Sequence, residues 1–297
     1  MDALNAIQNE YNYAMSMGVP AKKRNPRVNG WFMMSSPWPC LMIMLMYLIF
    51  VKMGPTIMKK RKPLELKNVL ISYNIALVFL SGYCFTQFFF RAYVFGGIRF
   101  GCETVDYSDS PNNLAIVGTG WLFYISKLLE MLDTVFFILK KKFSQVSFLH
   151  VLHHFCMPIS VWIGVKFASG GMTAFFPTIN SLVHFFMYTY YGLSAMGPKY
   201  QKYLWWKKYM TTFQIIQFVL ILLHCSQLLF IDCGYPRYMV WIFVLGAATF
   251  LFLFSNFYIQ AYMKNTNENK LNNRVEGSAI PLGKPSIHTS NGNVKDE

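Results

Sequence analysis

Charge is what this sequence has least of. Asp, Glu, Lys and Arg make up 13% of its 297 residues, about half of the roughly 25% usual in soluble domains. Acid is the scarcer sign, with 13 Asp and Glu against 27 Lys and Arg and a net charge of +14. This excludes an acidic, solvating chain as the main body. Cysteine is limited to six, too few and too scattered for a small disulfide-held scaffold. Histidine is limited to six as well, and His288 lies in a polar tail. No internal repeat stands out, which argues against a solenoid. No cleavable signal peptide is expected, because Lys22, Lys23, Arg24 and Arg27 interrupt any early apolar run.

What is abundant is apolar and aromatic: 54% hydrophobic and 18% aromatic residues. They fall in blocks of roughly 20, the length of a helix crossing a hydrocarbon core of about 30 Å. The competing reading is a set of buried helices in a large soluble domain, but so many long spans are hard to bury in one such core. The pattern predicts an all-α polytopic membrane protein with seven transmembrane helices, over residues 38–51, 69–90, 114–139, 148–165, 173–195, 210–231 and 238–262. Residues 1–37 then form a polar N-terminal segment, 38–262 the seven-span domain, and 263–297 a disordered tail rich in Asn, Ser, Gly and Lys.

The surplus of base is explained first by topology. The loops after spans one, three and five hold thirteen Lys and Arg, while the alternate loops hold four: Arg91, Arg99, Lys166 and Arg237. Positive loops stay in the cytosol, so the N-terminus is expected on the lumenal side and the tail in the cytosol. The basic residues before span one oppose this, but three internal loops agree. Cys102 and Cys233 then both face the oxidising side and are expected to form a disulfide. Cys40, Cys84, Cys156 and Cys225 lie within spans and read as core thiols.

The polar residues inside the spans carry the chemistry. Lys127, Glu130 and Asp133 are three apart on one face of span three, and the two acids are the only ones in any span. Each charge near a bilayer centre costs roughly 2.5–3.5 kcal/mol on insertion scales, so the three must pair in the interior. They could simply fix helix packing, or they could orient catalytic groups; the two roles are compatible. Span four opens with His150, His153 and His154, again on one face. Neutral imidazole enters an apolar site at low cost and still acts as base or nucleophile near pH 7. Asn180, His184, Tyr188 and Tyr191 share helical spacing on span five, and Gln214, Gln217 and His224 on span six. A lone His such as His224 is more often a packed, hydrogen-bonded residue than a functional one.

An HxxHH box also suits membrane di-iron desaturases and hydroxylases, which need roughly eight histidines in several boxes. Six histidines, with His184 and His224 standing alone, fit that poorly, and His150, His153 and His154 on one turn are crowded for a single zinc ion. No bound metal or other cofactor is expected. A seven-span receptor or transporter is the non-enzymatic alternative; a DRY-type triplet is missing after span three, which ends in Lys140, Lys141 and Lys142.

Taken together, the stretches Lys127–Thr134 (KLLEMLDT), His150–His154 (HVLHH), His184–Tyr191 (HFFMYTYY) and Thr211–Gln217 (TTFQIIQ) resemble the four signatures of the very-long-chain fatty acid elongases, the ELO family, in an animal form. The segment Asn25–Pro39 resembles the family's lead into the first span, and the likeness covers roughly residues 25–265. It implies a multi-pass endoplasmic-reticulum enzyme in which six of seven helices enclose an acyl tunnel. It implies a 3-oxoacyl-CoA synthase that condenses long-chain acyl-CoA with malonyl-CoA, releasing CO2 and CoA, with both thioesters as substrates. The second histidine of the box, His153, becomes the nucleophile of an acyl-imidazole intermediate, a choice spacing alone leaves open. His150, His154 and His184 assist it; Lys127, Glu130, Asp133, Asn180, Tyr188, Tyr191, Gln214 and Gln217 support them. Lys140, Lys141, Lys142, Lys207 and Lys208 are candidates for the CoA entrance. A second copy of the chain and other elongation-cycle enzymes are candidate partners. The ending Asn293–Glu297 departs from the dilysine signal of many relatives, with only Lys295 suitably placed.

Overall fold

The computed structural model describes residues 26–98, 101, 103–231 and 237–264, and within them all regular structure is helical. The α-helices are α1 (Trp38–Lys59), α2 (Lys67–Phe88), α3 (Pro111–Glu130), α4 (Leu132–Leu139), α5 (Phe148–Ala168), α6 (Phe175–Met196), α7 (Lys207–Ser226) and α8 (Arg237–Tyr258). Among the described residues, five stretches are long and apolar enough to cross a membrane: Trp38–Lys59, Lys67–Val94, Phe148–Ala168, Lys207–Leu229 and Met239–Met263. They correspond to expected spans one, two, four, six and seven. The segments expected as spans three and five are helical too, but their apolar character is diluted by the residues that build the site described below.

Two expected boundaries change for physical reasons. The first span was expected to stop at residue 51, before Gly54 and Pro55, yet α1 runs through Pro55 to Lys59. Gly54 is needed for packing: a Cβ there would come within 2.8 Å of Ile138 on α4. The third span, expected as one helix over 114–139, is interrupted at Met131 (φ −62°, ψ −23°), which separates α3 from α4. Lys127 falls in the last turn before the break and Asp133 in the first turn after it. Those are the helix ends that favour a cation and an anion respectively, by roughly 0.3–1 kcal/mol at the surface and up to about 2 kcal/mol when partly buried. The interruption thus eases the burial of both charges.

Serine sets the starts of α3 and α5. Ser110 Oγ accepts from Asn113 N–H with Pro111 as the first helical residue, and Ser147 Oγ accepts from His150 N–H, each at 3.3 Å. The Ser147 cap places His150 in the first turn of α5 and His153 and His154 one turn further. Within the first compact unit, which ends at Ser255, α2 packs most broadly on α6 and also on α3. α3 packs on α5, α7 on α6, and α1 on α4 and α5. Phe250 of α8 stacks on Phe218 of α7 at 5.9 Å and meets the His153 ring edge-on at 5.2 Å. The outside is apolar: Phe79, Phe148 and Phe252 are 70% exposed or more, as expected of a lipid-facing surface. In the second unit, from Asn256, Gln260 donates to Asn256 Oδ1 at 3.1 Å and a π-helical turn spans Ile259–Lys264.

The loops sort into two groups. Leu64 N–H bonds Leu139 O at 3.0 Å and Lys141 Nζ bonds Lys59 O at 3.3 Å, joining the basic segments after α1 and α4. At the other end, Met172 N–H bonds Glu103 O at 3.1 Å and Tyr107 donates to Phe167 O at 2.9 Å. Arg27 there reaches Ser108 O, and Lys166 Nζ ties Asn29 Oδ1 (2.6 Å) and Met34 O (2.7 Å). In this loop the Ser108 backbone N–H and the Asn113 amide hold the Asp106 carboxyl below its ordinary range. Cys102, Cys233, the first 25 residues and the tail from residue 265 lie outside the described residues; Cys40, Cys84, Cys156 and Cys225 are free thiols.

Candidate active site

Lys127 is 1% exposed, and its ammonium is saturated by neighbours. Nζ donates to Glu130 Oε1 and Oε2 at 2.8 and 3.1 Å and to Asn180 Oδ1 at 2.8 Å, and lies 4.5 Å from the centre of the Phe123 ring. Asn180 in turn donates to Gln217 Oε1 at 3.3 Å, so α3, α6 and α7 share one polar network. An ion pair this deep survives only when the remaining lone pairs and protons are also satisfied, and this network satisfies them.

His184 completes the network from α6. Its Nδ1 lies 3.0 Å from Glu130 Oε1 and 3.4 Å from Lys127 Nζ. The ammonium cannot accept, so the shorter contact assigns Nδ1–H as donor to Glu130. That leaves Nε2 with its lone pair free to act on another group, the arrangement in which a carboxylate orients a histidine. Asp133, 7% exposed, accepts from the Tyr188 hydroxyl at 2.8 Å.

The histidines of α5 face this network. His150 Nε2 is 2.8 Å from Thr134 Oγ1, which is 2.9 Å from the Tyr47 hydroxyl of α1. The His150 and His154 rings are 4.3 Å apart, and those of His153 and His154 5.2 Å. The His153 ring also meets Phe254 of α8 edge-on at 6.3 Å. It is half-buried, and among the described residues neither His153 nor His154 has a hydrogen-bonding partner. Pro158 sits within α5 and lacks the N–H that would have bonded the His154 carbonyl, loosening the helix one turn beyond the box.

Next to His153 begins an apolar cavity of about 110 Å³. Phe250, which touches the His153 ring, and Met157, one turn along α5, line its near end; Ala168, Ser169 and Gly170 line the far end. The walls come from α2, α3, α5, α6, α7 and α8, and none of the described residues of α1 or α4 contributes. From Met157 to Ala168 the cavity follows α5 for roughly 16 Å at 1.5 Å per residue. Gly164 and Gly246 line it, and a Cβ at either would meet nothing within 4 Å. Glycine inside a helix costs about 1 kcal/mol relative to alanine, so here it trades helix stability for open volume.

Of the residues expected to form the site, the structure joins Lys127, Glu130, Asn180, His184 and Gln217 in one network and pairs Asp133 with Tyr188. Tyr191 is 38% exposed and meets the Tyr188 and Tyr190 rings edge-on, and Gln214 donates to Met187 Sδ at 3.4 Å. His224 lies elsewhere, stacked on Phe175 at 4.0 Å and 3.3 Å from Met172 O. Lys140, Lys141 and Lys142 follow α4, and exposed Lys207 and Lys208 open α7. The sequence reading missed Tyr47, the role of Thr134, and Phe250. Only the proximity of Thr134 to Asp133 hinted at its place; a tyrosine or phenylalanine in an apolar run carries no signal. Among the described residues no group of three or more His, Cys, Asp and Glu is arranged to hold a metal ion.

Fold and site define a class: a helical membrane protein in which a buried charge network orients His184 and a box of three further histidines adjoins an apolar cavity. The GNS1/SUR4 (ELO) family model matches residues 32–270, and the chain belongs to this family. It is 50% identical over 242 residues to a very long chain fatty acid elongase of Aedes aegypti, covering 81% of this chain and 68% of that one. It is 48% identical over 247 residues to very long chain fatty acid elongase 7 of Rattus norvegicus, covering 82% and 87%. Over 267 residues it is 45% identical to very long chain fatty acid elongase 1 of Homo sapiens, covering 88% and 92%.

Proposed function

We propose that this protein is a fatty acid elongase that condenses a long-chain acyl-CoA with malonyl-CoA. The observation that carries the reading is His153: half-buried, without a hydrogen-bonding partner among the described residues, and in ring contact with Phe250 at the near end of the apolar cavity. Its imidazole nitrogen attacks the thioester carbonyl; a C–N bond forms, the C–S bond breaks, and CoA leaves as thiolate, taking up the proton that acylated imidazole releases. Malonyl-CoA then loses CO2 by C–C cleavage. The resulting enolate carbon attacks the acyl-imidazole carbonyl, the C–N bond breaks, the departing imidazolide takes up a proton from solvent, and 3-oxoacyl-CoA leaves with His153 regenerated.

In this reading the acyl tail lies in the cavity, and the six helices that line it are the tunnel wall. His184, oriented by Glu130, presents Nε2 to the thioester or the malonyl carboxylate. Thr134 and Tyr47 position His150, and the Asn180 amide donates to developing oxyanions while Tyr188 holds Asp133. Lys140, Lys141, Lys142, Lys207 and Lys208 meet the CoA phosphates from the cytosolic side. The chain crosses the endoplasmic-reticulum membrane seven times, with α3–α4 and α6 as the two polar crossings. Its N-terminus is lumenal, its tail cytosolic, and a Cys102–Cys233 bond ties two lumenal loops.

Purified protein incubated with acyl-CoA alone tests the route. The expected result is release of free CoA and an acyl mass on the peptide containing His153, discharged by malonyl-CoA with release of CO2. Product formation without any such adduct, or normal turnover by His153→Ala, rejects it.

A further inference from the structure

The main cavity adjoins a cavity of a different kind at its end away from His153. Ser169 and Gly170 line both, and the second, also about 110 Å³, has Glu103, Asp106 and Asn112 among its walls. Apart from three hydroxyl side chains, the lining of the first is apolar or glycine; that of the second is rich in carboxylates and amides. The change from apolar to polar falls at Ser169 and Gly170. The backbone there is built for close approach. Gly170 and Gly171 have φ values of 103° and 56°, and a Cβ on Gly171 would come within 2.6 Å of Thr104 O. Met172 N–H bonds Glu103 O at 3.1 Å, so the turn after α5 lies directly on the loop that carries the acids.

Two of the three hydroxyls are committed. Ser160 donates to Cys156 O at 2.9 Å, and Thr173 is tied to Ala168 O and Gly170 O. Ser169 differs. It is 8% exposed, and its hydroxyl has no hydrogen-bonding partner among the described residues. Folded proteins rarely leave a buried polar group in that condition. Gly120 faces it, and a Cβ there would lie 3.0 Å from Ser169 Oγ, so glycine gives the hydroxyl clearance. Ser169 lies roughly 24 Å from His153 at the helical rise of 1.5 Å per residue, along the cavity from the box.

We propose that the protein elongates ω-hydroxyacyl chains, with Ser169 holding the terminal hydroxyl where the two cavities meet. This rests on the reading that the main cavity holds the acyl tail. The path selects the end group. A charged terminus has to pass apolar walls at a cost far above that of a neutral hydroxyl. An ω-carboxylate also meets Glu103 and Asp106, and Asp106 is ionised at neutral pH because Ser108 N–H and the Asn113 amide hold its carboxyl below the ordinary range. A methyl terminus offers Ser169 nothing. A hydroxyl both donates and accepts, so it pairs with Ser169 Oγ and turns its remaining capacity to the polar cavity. Asn112, whose Nδ2 donates to Arg91 O at 3.0 Å, offers Oδ1 there as an acceptor.

The test uses the full chain, purified, with malonyl-CoA and pairs of saturated acyl-CoAs of equal length, one methyl-ended and one ω-hydroxylated, in two-carbon steps. The readout is the ratio of kcat/KM for the ω-hydroxylated over the methyl-ended member of each pair. The ratio is expected to peak at the length whose end reaches Ser169. Ser169→Ala is expected to lower that peak about three- to tenfold, the worth of one hydrogen bond. At the same length an ω-carboxy chain is expected to be the poorest of the three. A ratio that does not vary with length, a peak unchanged in Ser169→Ala, or an ω-carboxy chain preferred to the ω-hydroxylated one overturns the proposal. If no methyl-ended acyl-CoA is condensed, the parent reading fails instead. Should Ser169→Ala not fold, Ser169→Cys, whose thiol is a weak donor and acceptor, is expected to lower the peak in its place, and an unchanged peak there overturns the proposal equally.

Discussion

His184 Nδ1 stands 3.0 Å from Glu130 Oε1, and the same carboxylate oxygen is 2.8 Å from Lys127 Nζ. One oxygen therefore serves both a structural cation and an oriented imidazole. Glu130 neutralises the lysine that α3 buries, and it fixes which nitrogen of His184 is left free.

This double duty separates stability from activity. Lys127→Met or Glu130→Gln alone leaves a buried group unpaired and is expected to cost about 3–5 kcal/mol. Replacing both, as Lys127→Met with Glu130→Leu, is expected to recover much of that loss without recovering condensation, because His184 is still unoriented. Thermal unfolding in detergent beside a condensation assay checks both halves.

Thr134 is expected to act through His150. Thr134→Val keeps the shape but removes the hydroxyl between the Tyr47 OH and His150 Nε2. Partners of this kind are typically worth 10–100-fold in activity where they orient a metal-bound histidine, and a fall in kcat of about that size is predicted. Thr134→Ser should restore most of it, and Tyr47→Phe should show a smaller loss. A drop in stability without this rescue pattern would assign Thr134 to packing.

Gly164 and Gly246 offer the converse of a cavity-creating mutation. A Cβ at either meets open space, so Gly246→Leu should fold, and Gly246→Ala should gain up to about 1 kcal/mol of helix stability. Product length, measured against a series of acyl-CoAs, should fall progressively from Gly to Ala to Leu. Unchanged length at Leu would mean that the acyl tail does not pass this point.

At the opposite end from the basic loops, Lys166 anchors the segment leading into α1. Lys166→Met removes its bonds to Asn29 and Met34 O, although Trp162 Nε1 to Met33 O (2.9 Å) and Trp121 Nε1 to Phe32 O (3.0 Å) remain. Limited proteolysis is expected to cut within residues 26–37 faster than in the parent, with little change in the unfolding temperature of the helical body.

Much of the site was legible from residue type alone. Lys127, Glu130 and Asp133 are too costly in an apolar run to be unpaired, and three histidines on one turn are too polar to be filler. Helical spacing then put each set on one face. Gln214 and Tyr191 have the same spacing as their neighbours, but a face seen from one helix is wider than the patch that touches a second; His224, read as a packed histidine, stacks on Phe175 and contacts Met172 O. The first span runs past its expected end at residue 51 because the helix is held against α4, where Gly54 lies close to Ile138. Tyr47 and Phe250 carry no local signal, since nothing in an apolar run distinguishes the aromatic that meets a histidine from the one that meets lipid.

Composition and periodicity by themselves determined that the chain is helical, that apolar surface faces outward, and which polar residues must turn inward. These follow from the cost of charge and of unpaired backbone in hydrocarbon, which each segment meets on its own. Only the tertiary structure decided which partner each buried group takes, that α3 breaks at Met131 between its charged residues, and that six helices leave a cavity beside His153. Those depend on how separate helices approach one another, and that is set by side-chain shape at contacts dozens of residues apart in the chain.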